Sequence, residues 1–161
     1  MMKSLLTKLM FLLLGLTIIT GGAVFYYLEQ TNKNKIEIYQ DIQKDFCING
    51  IENEFEHLLI TLLTNAKDIF NERDIKDRKI KIITKEDEEF YYLEMIDNAG
   101  GVPEATKDKI FKLNYTTREK GTGVGLYLAN QIAVKHLGVL GVENIEGGAK
   151  FYFKVRKEVN E

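Results

Sequence analysis

The chain has 161 residues, of which 45% are hydrophobic and 29% charged, and its formal net charge is −2. This length is enough for one domain with a packed core, and the near-neutral charge gives no sign of a nucleic-acid-binding surface. The single cysteine, Cys47, excludes an internal disulfide and has no metal-ligand spacing around it, so we interpret it as a small buried hydrophobic residue.

The N-terminal part differs from the rest in being apolar. Residues 1–8 form a short basic flank, and residues 9–28 carry no charge. As a helix, residues 9–28 would be about 30 Å long, which matches the hydrocarbon core of a bilayer. A cleaved signal peptide is the alternative, since residues 21–23 (Gly-Gly-Ala) form an acceptable cleavage site. Tyr26 and Tyr27 at the end of the run favour an uncleaved transmembrane anchor, but lysines on both sides leave its orientation open.

A polar linker, 29–34, leads into a domain that we predict over residues 35–158. Alternating residues predict a first strand at Ile36–Tyr39 and a second, short strand at Phe46–Ile48. Asn49-Gly50 then predicts a turn before the first helix of the domain.

That helix, predicted from Asn53 to Asn71, has the clearest periodicity in the chain. Its apolar residues recur at three-and-four spacing and predict one core-facing stripe: Phe55, Leu58, Leu59, Leu62, Leu63, Ala66, Ile69 and Phe70. A polar stripe runs beside it through Glu54, His57, Thr61, Asn65 and Asp68. Taken alone, such a stripe more often faces solvent than a ligand.

Two hairpins and a second helix complete the predicted elements. Strands are predicted at 79–84 and 90–97, and again at 139–145 and 149–155. Between the hairpins, Pro103 leads into a short helical piece ending near Ile110-Phe111, and 112–120 reads as a mobile loop. A helix over Thr122–Leu137 places Leu126, Ala129, Ala133 and Leu137 on one face, and Gly138 is expected to end it in a left-handed cap. The fold class is therefore α+β: a two-layer sandwich of a mixed, mostly antiparallel, about five-stranded sheet with helices on one face, after one transmembrane helix.

Two glycine clusters predict a nucleotide pocket. Residues Asp97–Pro103 end a strand with an aspartate and two glycines that free the backbone in a turn. Residues Gly121–Leu126 open a helix with three glycines, which can bring bare N–H groups against an anion, typically a phosphate. The first cluster would then lie at the base end of the pocket and the second at the phosphate end.

Four segments, in order, carry a resemblance to a known family: His57–Ala66, Asp97–Pro103, 110–118 and Gly121–Leu126. In this order and spacing they resemble the N box, first glycine box, F box and second glycine box of bacterial sensor histidine kinases. The resemblance covers the chain from about Lys35 to Arg156 and concerns the ATP-binding catalytic domain, which is similar to the ATPase domains of DNA gyrase and of mismatch-repair proteins.

The resemblance implies ATP and Mg²⁺ as ligands and gives each motif residue a role. Asp97 would accept a hydrogen bond from the adenine amino group, and Gly101 and Val102 would let the backbone close against the base. Asn65 would coordinate Mg²⁺ through its amide oxygen, the triphosphate supplying further ligands. The other implied nucleotide-binding residues are Asp68, the lid residues Thr117, Arg118 and Lys120, and the phosphate-facing run Gly121, Thr122, Gly123, Val124, Gly125 and Leu126.

Two departures from the family pattern concern the pocket. Ala99 stands where the family usually has a glycine, and we expect its methyl group to have only a modest cost. Thr61 stands where many kinases have Asn and where ATP-hydrolysing relatives have a Glu that activates water. Threonine does neither task well, so the sequence predicts that ATP hydrolysis is not efficient.

A third departure is that the family's two-helix dimerisation domain, with its phosphoacceptor histidine, has no counterpart between residues 28 and 36. Neither His57 nor His136 has an acidic neighbour on its C-terminal side, and neither resembles an acceptor. We therefore expect a monomeric soluble portion that, if active, donates the γ-phosphate of ATP to a histidine on a partner protein in two-component signalling. The implied partner is a partner kinase or a response regulator. The alternative is a non-catalytic, ATP-responsive interaction module or an inactive remnant. The expected location is the bacterial cytoplasmic membrane, single-pass, with the ATP domain on the cytoplasmic side.

Overall fold

The computed structural model describes residues 35–43, 48, 50–118 and 121–157. The predicted anchor (9–28), its flank, the linker, Lys120 and most of the predicted strand at Phe46–Ile48 lie outside these residues. Within them, no helix is long and apolar enough to cross a membrane.

The described chain forms five strands and two α-helices. Their bounds in chain order are β1 Ile36–Ile42, α1 Glu52–Glu72, β2 Arg78–Glu86, β3 Phe90–Asp97, a 3₁₀ turn Glu104–Thr106, α2 Gly125–Lys135, β4 Gly138–Ile145 and β5 Gly148–Arg156. The strands form one sheet in the order β1-β2-β3-β5-β4. β1 runs parallel to β2 and the other neighbours pair antiparallel, so the predicted mixed, mostly antiparallel sheet is confirmed.

One face of the sheet carries the core. Because side chains alternate along a strand, every second residue of the central strands is buried, as with Leu93, Met95 and Asp97 of β3. The predicted apolar stripe of α1 packs on this face, with Leu58 and Leu59 fully buried. Ala129 and Ala133 of α2 join the same cluster, so both helices cover one face, as the sequence predicts.

The predicted end of the second helix is wrong. α2 stops at Lys135, and Leu137, expected on its core face, is 90% exposed. Leu137 itself takes the left-handed conformation, with φ 55°, while Gly138 has no positive φ and begins β4. Gly138 is needed for packing instead: a Cβ built there would lie 2.4 Å from Cε2 of Phe153.

The predicted start of that helix is also wrong, by three residues. α2 begins at Gly125, because Gly123 has φ 66° and so cannot lie in a right-handed helix. The second glycine cluster is therefore mainly a loop that leads into the helix. Ile48 is buried but lies outside any strand.

Candidate functional site

A cavity of about 440 Å³ opens between α1, the turn after β3 and the N-terminus of α2. This volume is in the range of small-molecule sites. Of the predicted site residues, those that line it are Asn65, Asp97, Gly101, Val102, Thr117, Arg118, Thr122, Gly123, Gly125 and Leu126. Asp68, Gly121 and Val124 do not line it, and Lys120 falls in a gap of the described chain.

Asp97 is the last residue of β3 and lines the cavity. It is opposite Ile80 of β2 and Ala149 of β5, and only 5% of it is exposed. Burial raises the pKa of its carboxyl, while the N–H groups of Ala99 and Ala149 and the charge of Arg73 act in the opposite direction. A buried carboxylate with lone pairs to spare is suited to accept a hydrogen bond from an amino group of a ligand.

The glycine turn after Asp97 is held in place by several hydrogen bonds. The Asp97 carboxylate accepts from the N–H of Ala99 at 2.9 Å, and Gly100 donates its N–H to the carbonyl of Gly147 at 3.0 Å. Gly100 and Gly101 have φ of 92° and 76°, so glycine is required at both positions. Ala99 is buried in the core and has no positive φ, so its methyl group is accommodated where the family usually has glycine.

Asn144, at the far edge of the sheet, completes the turn. Its Oδ1 accepts from the N–H of Val102 at 2.8 Å, and its Nδ2 donates to the carbonyl of Val102 at 2.7 Å. The same amide group also bonds Glu104 at 3.0 Å. A Cβ on Gly101 would lie 2.8 Å from the Asn144 oxygen, so the amide side chain and the glycine turn fit closely together.

α1 contributes the polar wall of the cavity, and only part of its polar stripe takes part. His57, Thr61 and Asn65 line the cavity. Glu54 instead bonds Lys135 and His136 at the end of α2, at 2.5 and 2.8 Å. These two contacts, Lys135 first, hold the pKa of the Glu54 carboxyl below its usual value.

A magnesium ion would have one protein ligand here. Asn65 presents an amide group to the cavity, and no group of three His, Cys, Asp or Glu side chains that could hold a metal occurs in the described part of the chain. This donor set does not form a protein cage. It fits an ion that arrives with phosphate and water ligands, which is how Mg²⁺ is commonly bound with nucleotides.

The second glycine cluster lines the same cavity as Asp97, through Gly123 and Gly125. A Cβ on Gly123 would lie 2.5 Å from the backbone of Asn114 and 2.6 Å from that of Tyr115, so the cluster packs directly against the loop before it. The first turn of α2 has no side-chain cap, and a Cβ on Gly125 would have only Thr61 near it, at 3.4 Å. The N–H groups at the start of α2, which no side chain caps, can bind an anion by donating hydrogen bonds to it.

Arg118 and Asp68, both predicted to bind nucleotide, form an ion pair with each other. Arg118 still lines the cavity, but Asp68 faces the loop instead. The pair joins the loop that carries Thr116 and Thr117 to α1 and is partly exposed, at 31% and 35% for the two side chains.

Sequence reasoning missed two contributors to the site, Arg73 and Asn144. Arg73 lies between the predicted first helix and the strand predicted at 79–84, in a segment without a motif, yet it lines the cavity and its Nη1 donates to the carbonyl of Ala99 at 2.5 Å. These contacts join residues 26 and 42 positions apart, so no local pattern indicates them. Asn144 lies in the strand predicted at 139–145, and no motif gave it a role.

Comparisons with known proteins place this geometry in a family. Residues 50–159 match the family described as histidine kinase-, DNA gyrase B- and HSP90-like ATPase. Sporulation kinase A of Bacillus subtilis (strain 168) is 35% identical over 125 residues, which is 76% of this chain and 20% of that protein. Sporulation kinase C of the same organism is 30% identical over 114 residues, 70% of this chain and 26% of that protein.

Solved structures agree with this assignment. The catalytic domain of histidine kinase ThkA is 27% identical, with a TM-score of 0.71, over 83% of this chain and 88% of that one. A ThkA chain solved in complex with the response regulator protein TrrA is 24% identical and supports the likeness of fold alone. The chain spans a fifth to a quarter of the length of these two sporulation kinases. It belongs to the family of histidine kinase-, DNA gyrase B- and HSP90-like ATPases and matches the catalytic domains of histidine kinases.

Proposed function

We propose that the domain binds ATP with Mg²⁺ and donates the γ-phosphate to a histidine on a partner protein in two-component signalling. The observation that carries this proposal is that Asp97, Asn65 and the second glycine cluster, through Gly123 and Gly125, line the same cavity. The adenine amino group would bond the Asp97 carboxylate, and the N–H groups at the start of α2 would face the phosphates.

In the transfer step, the bond between the γ-phosphorus and the bridging oxygen of ATP breaks, and ADP leaves. A bond forms between phosphorus and the unprotonated ring nitrogen of the partner's histidine, and the proton on the other ring nitrogen is released. The domain contributes positioning and charge stabilisation to this step. Bound Mg²⁺ would neutralise developing charge on the phosphates, with Asn65 as its protein ligand.

We further propose that the site holds ATP without hydrolysing it efficiently. Thr61 lines the cavity one helical turn before Asn65, where a carboxylate could activate water. Among the described residues that line the cavity, Asp97 is the one carboxylate, and we assign it to the adenine. A stable ATP complex suits a domain that awaits a partner.

ATP binding is tested by calorimetry on the full chain with and without Mg²⁺, together with Asp97→Asn and Asn65→Ala. We expect Asp97→Asn to weaken binding at least about tenfold, because a buried donor would then face the adenine amino group. Asn65→Ala should remove most of the Mg²⁺ dependence. The matched control is Asp41→Asn, since Asp41 is exposed and pairs with Lys81 outside the cavity. Folded protein that binds no ATP at millimolar concentration would refute the proposal.

Phosphotransfer is tested separately, by incubating the chain and γ-labelled ATP with candidate partners that carry a phosphoacceptor histidine. Acid-labile, base-stable label on the partner supports transfer. Tight ATP binding without transfer to any partner would favour the alternative, a non-catalytic module that captures its partner in an ATP-dependent way.

For location, we propose that residues 9–28 anchor the chain in the bacterial cytoplasmic membrane with the ATP domain on the cytoplasmic side. The support is the uncharged apolar run in the sequence and the need of the domain for ATP. A topology reporter fused after Glu161 tests this, and an external signal would contradict it.

A further inference from the structure

The C-terminal end of α1 reaches the glycine turn through one side chain. Arg73 caps α1, its own N–H donating to the carbonyl of Ile69 at 2.9 Å. Its guanidinium then crosses to the turn, where Nη1 donates to the carbonyl of Ala99 at 2.5 Å. A Cβ on Gly100 would lie 2.7 Å from the same nitrogen, so the guanidinium occupies the space that a side chain at Gly100 would need.

Arginine suits this position for two physical reasons. Its planar group has several N–H donors in a fixed arrangement, so it can hold a carbonyl at the end of a long side chain. A cation at the C-terminus of a helix is also favoured by the helix dipole, and α1 has no basic residue in its last turn to share that role. Both ends of the Arg73 residue are therefore held, the backbone by α1 and the side chain by the turn.

The same guanidinium provides a positive charge near Asp97. The strand residues opposite Asp97, Ile80 and Ala149, are uncharged. The cavity wall also carries the titratable or charged side chains His57, Tyr115 and Arg118. Among Arg73 and these three side chains, Arg73 is the one whose charge acts on the Asp97 carboxyl, and it lowers a pKa that burial raises.

We propose that Arg73 is a positioning residue of the adenine end of the site: it holds the Ala99 carbonyl, which fixes the turn, and sets a positive charge beside Asp97. The proposal rests on the proposed function, ATP binding at this cavity. Arg73 acts through the turn and through Asp97 and does not contact the phosphates.

The test compares Arg73→Gln and Arg73→Lys with the wild-type full chain, using ATP affinity measured from pH 5 to pH 8. Arg73→Gln removes the charge and should weaken ATP binding about tenfold at neutral pH. It should also move the acid limb of the affinity profile to higher pH, because Asp97 without its cationic neighbour takes up a proton more readily. Arg73→Lys keeps the charge without the planar donor group, so its acid limb should match the wild type and its affinity should fall between the other two.

Adenosine separates positioning from phosphate binding. If Arg73 acts on the base end, Arg73→Gln should weaken adenosine and ATP by the same factor. A loss confined to ATP would overturn the proposal in favour of a direct phosphate contact. Arg78→Gln is the matched control, because the Arg78 guanidinium bonds Ile75 and Asn71 near the same helix end and does not line the cavity.

The remaining outcomes separate a failure of the Arg73 proposal from a failure of the proposed ATP binding. Arg73→Gln that stays folded with wild-type affinity and an unchanged acid limb would overturn this proposal alone, provided that Asp97→Asn still weakens binding. If Arg73→Gln does not fold, Arg73→Lys decides: it must weaken adenosine and ATP equally, and wild-type affinity for both would overturn the proposal. A wild-type chain that binds no ATP would overturn the proposed function and this inference together.

Discussion

The sequence pattern and the structure predict opposite effects on stability when Leu137 is replaced by glycine. In the pattern, Leu137 continues the core face of the second helix, and its replacement by glycine would be destabilising. In the structure it follows the helix, with φ 55° and 90% of its surface exposed. We therefore predict that Leu137→Gly stabilises the protein.

The magnitude follows from two opposing terms. A left-handed conformation costs an ordinary L-residue about 1–2 kcal/mol, and glycine avoids that cost. Glycine loses more conformational freedom on folding, which costs roughly 0.5–1 kcal/mol. An exposed leucine side chain gives up little burial, and the hydrogen bond from the N–H of Leu137 to Val134 is kept. The expected net gain is about 0.5–1 kcal/mol, or an increase in Tm of about 1–4 °C.

Denaturant and thermal unfolding of the full chain, followed by circular dichroism, measure this change. Gly138→Ala serves as the opposite control, because its Cβ would lie 2.4 Å from the Phe153 ring and 2.8 Å from the carbonyl of Lys154. Overpacking of this kind should cost about 1–3 kcal/mol. A lower Tm for Leu137→Gly would refute the reasoning, since it would mean that the leucine side chain is buried or that the helix continues through it.

Two further predictions concern the glycine turn. Asn144→Ala should speed hydrogen exchange of the Val102 amide about fivefold, because that N–H loses its acceptor. Asn144→Asp should weaken ATP binding more than Asn144→Ala does, because it places a carboxylate against the Val102 carbonyl and Glu104. Titration of Asp97 should make the protein less stable as pH rises, because burial raises the pKa of its carboxyl in the folded state. Its contribution to the free energy of unfolding is fully present below the pKa of the unfolded state. That contribution is lost as pH rises through the pKa of the folded state. The free energy of unfolding of the wild type should therefore fall relative to Asp97→Asn across that range, and parallel profiles would contradict this.

Sequence periodicity predicted the frame of the domain because the frame depends on local patterns. The stripe of α1 satisfies three-and-four spacing, and β2 and β3 are apolar-rich runs close together in the sequence. Both the helix and the hairpin appear as predicted. The motifs likewise placed Asp97 and Asn65 on one cavity, 32 positions apart, because the resemblance contains that distant pairing. The parallel pairing of β1 with β2 has no local signal in the chain.

The failures share a cause, since each depends on contacts from distant parts of the chain. Gly138 looks like a helix stop, but it is required by the Phe153 ring of the neighbouring strand, and the left-handed residue is the one before it. Arg73 lies in a charged segment that reads as a surface connection, and only the folded chain brings its guanidinium to Ala99. A glycine in the sequence indicates either a backbone conformation that other residues avoid or a place where a Cβ would not fit. The sequence alone does not distinguish these two reasons.

The residues that we assign to the base and to the phosphates differ in whether they are already paired within the protein, and this difference predicts which part of the site limits ATP binding. Arg73 and Asn144 hold the turn after Asp97, where we place the base, whereas Arg118, which we expect near the phosphates, is paired with Asp68. If the phosphates bind Arg118, they must compete with Asp68, and a partly exposed pair of this kind is worth up to about 1 kcal/mol. Asp68→Asn should then strengthen ATP binding about two- to fivefold and leave adenosine unchanged, with Glu72→Gln, exposed on the same helix, as the control. Weaker ATP binding in Asp68→Asn would mean that Asp68 itself serves the nucleotide, as the family resemblance implies, and that its pairing with Arg118 does not oppose binding.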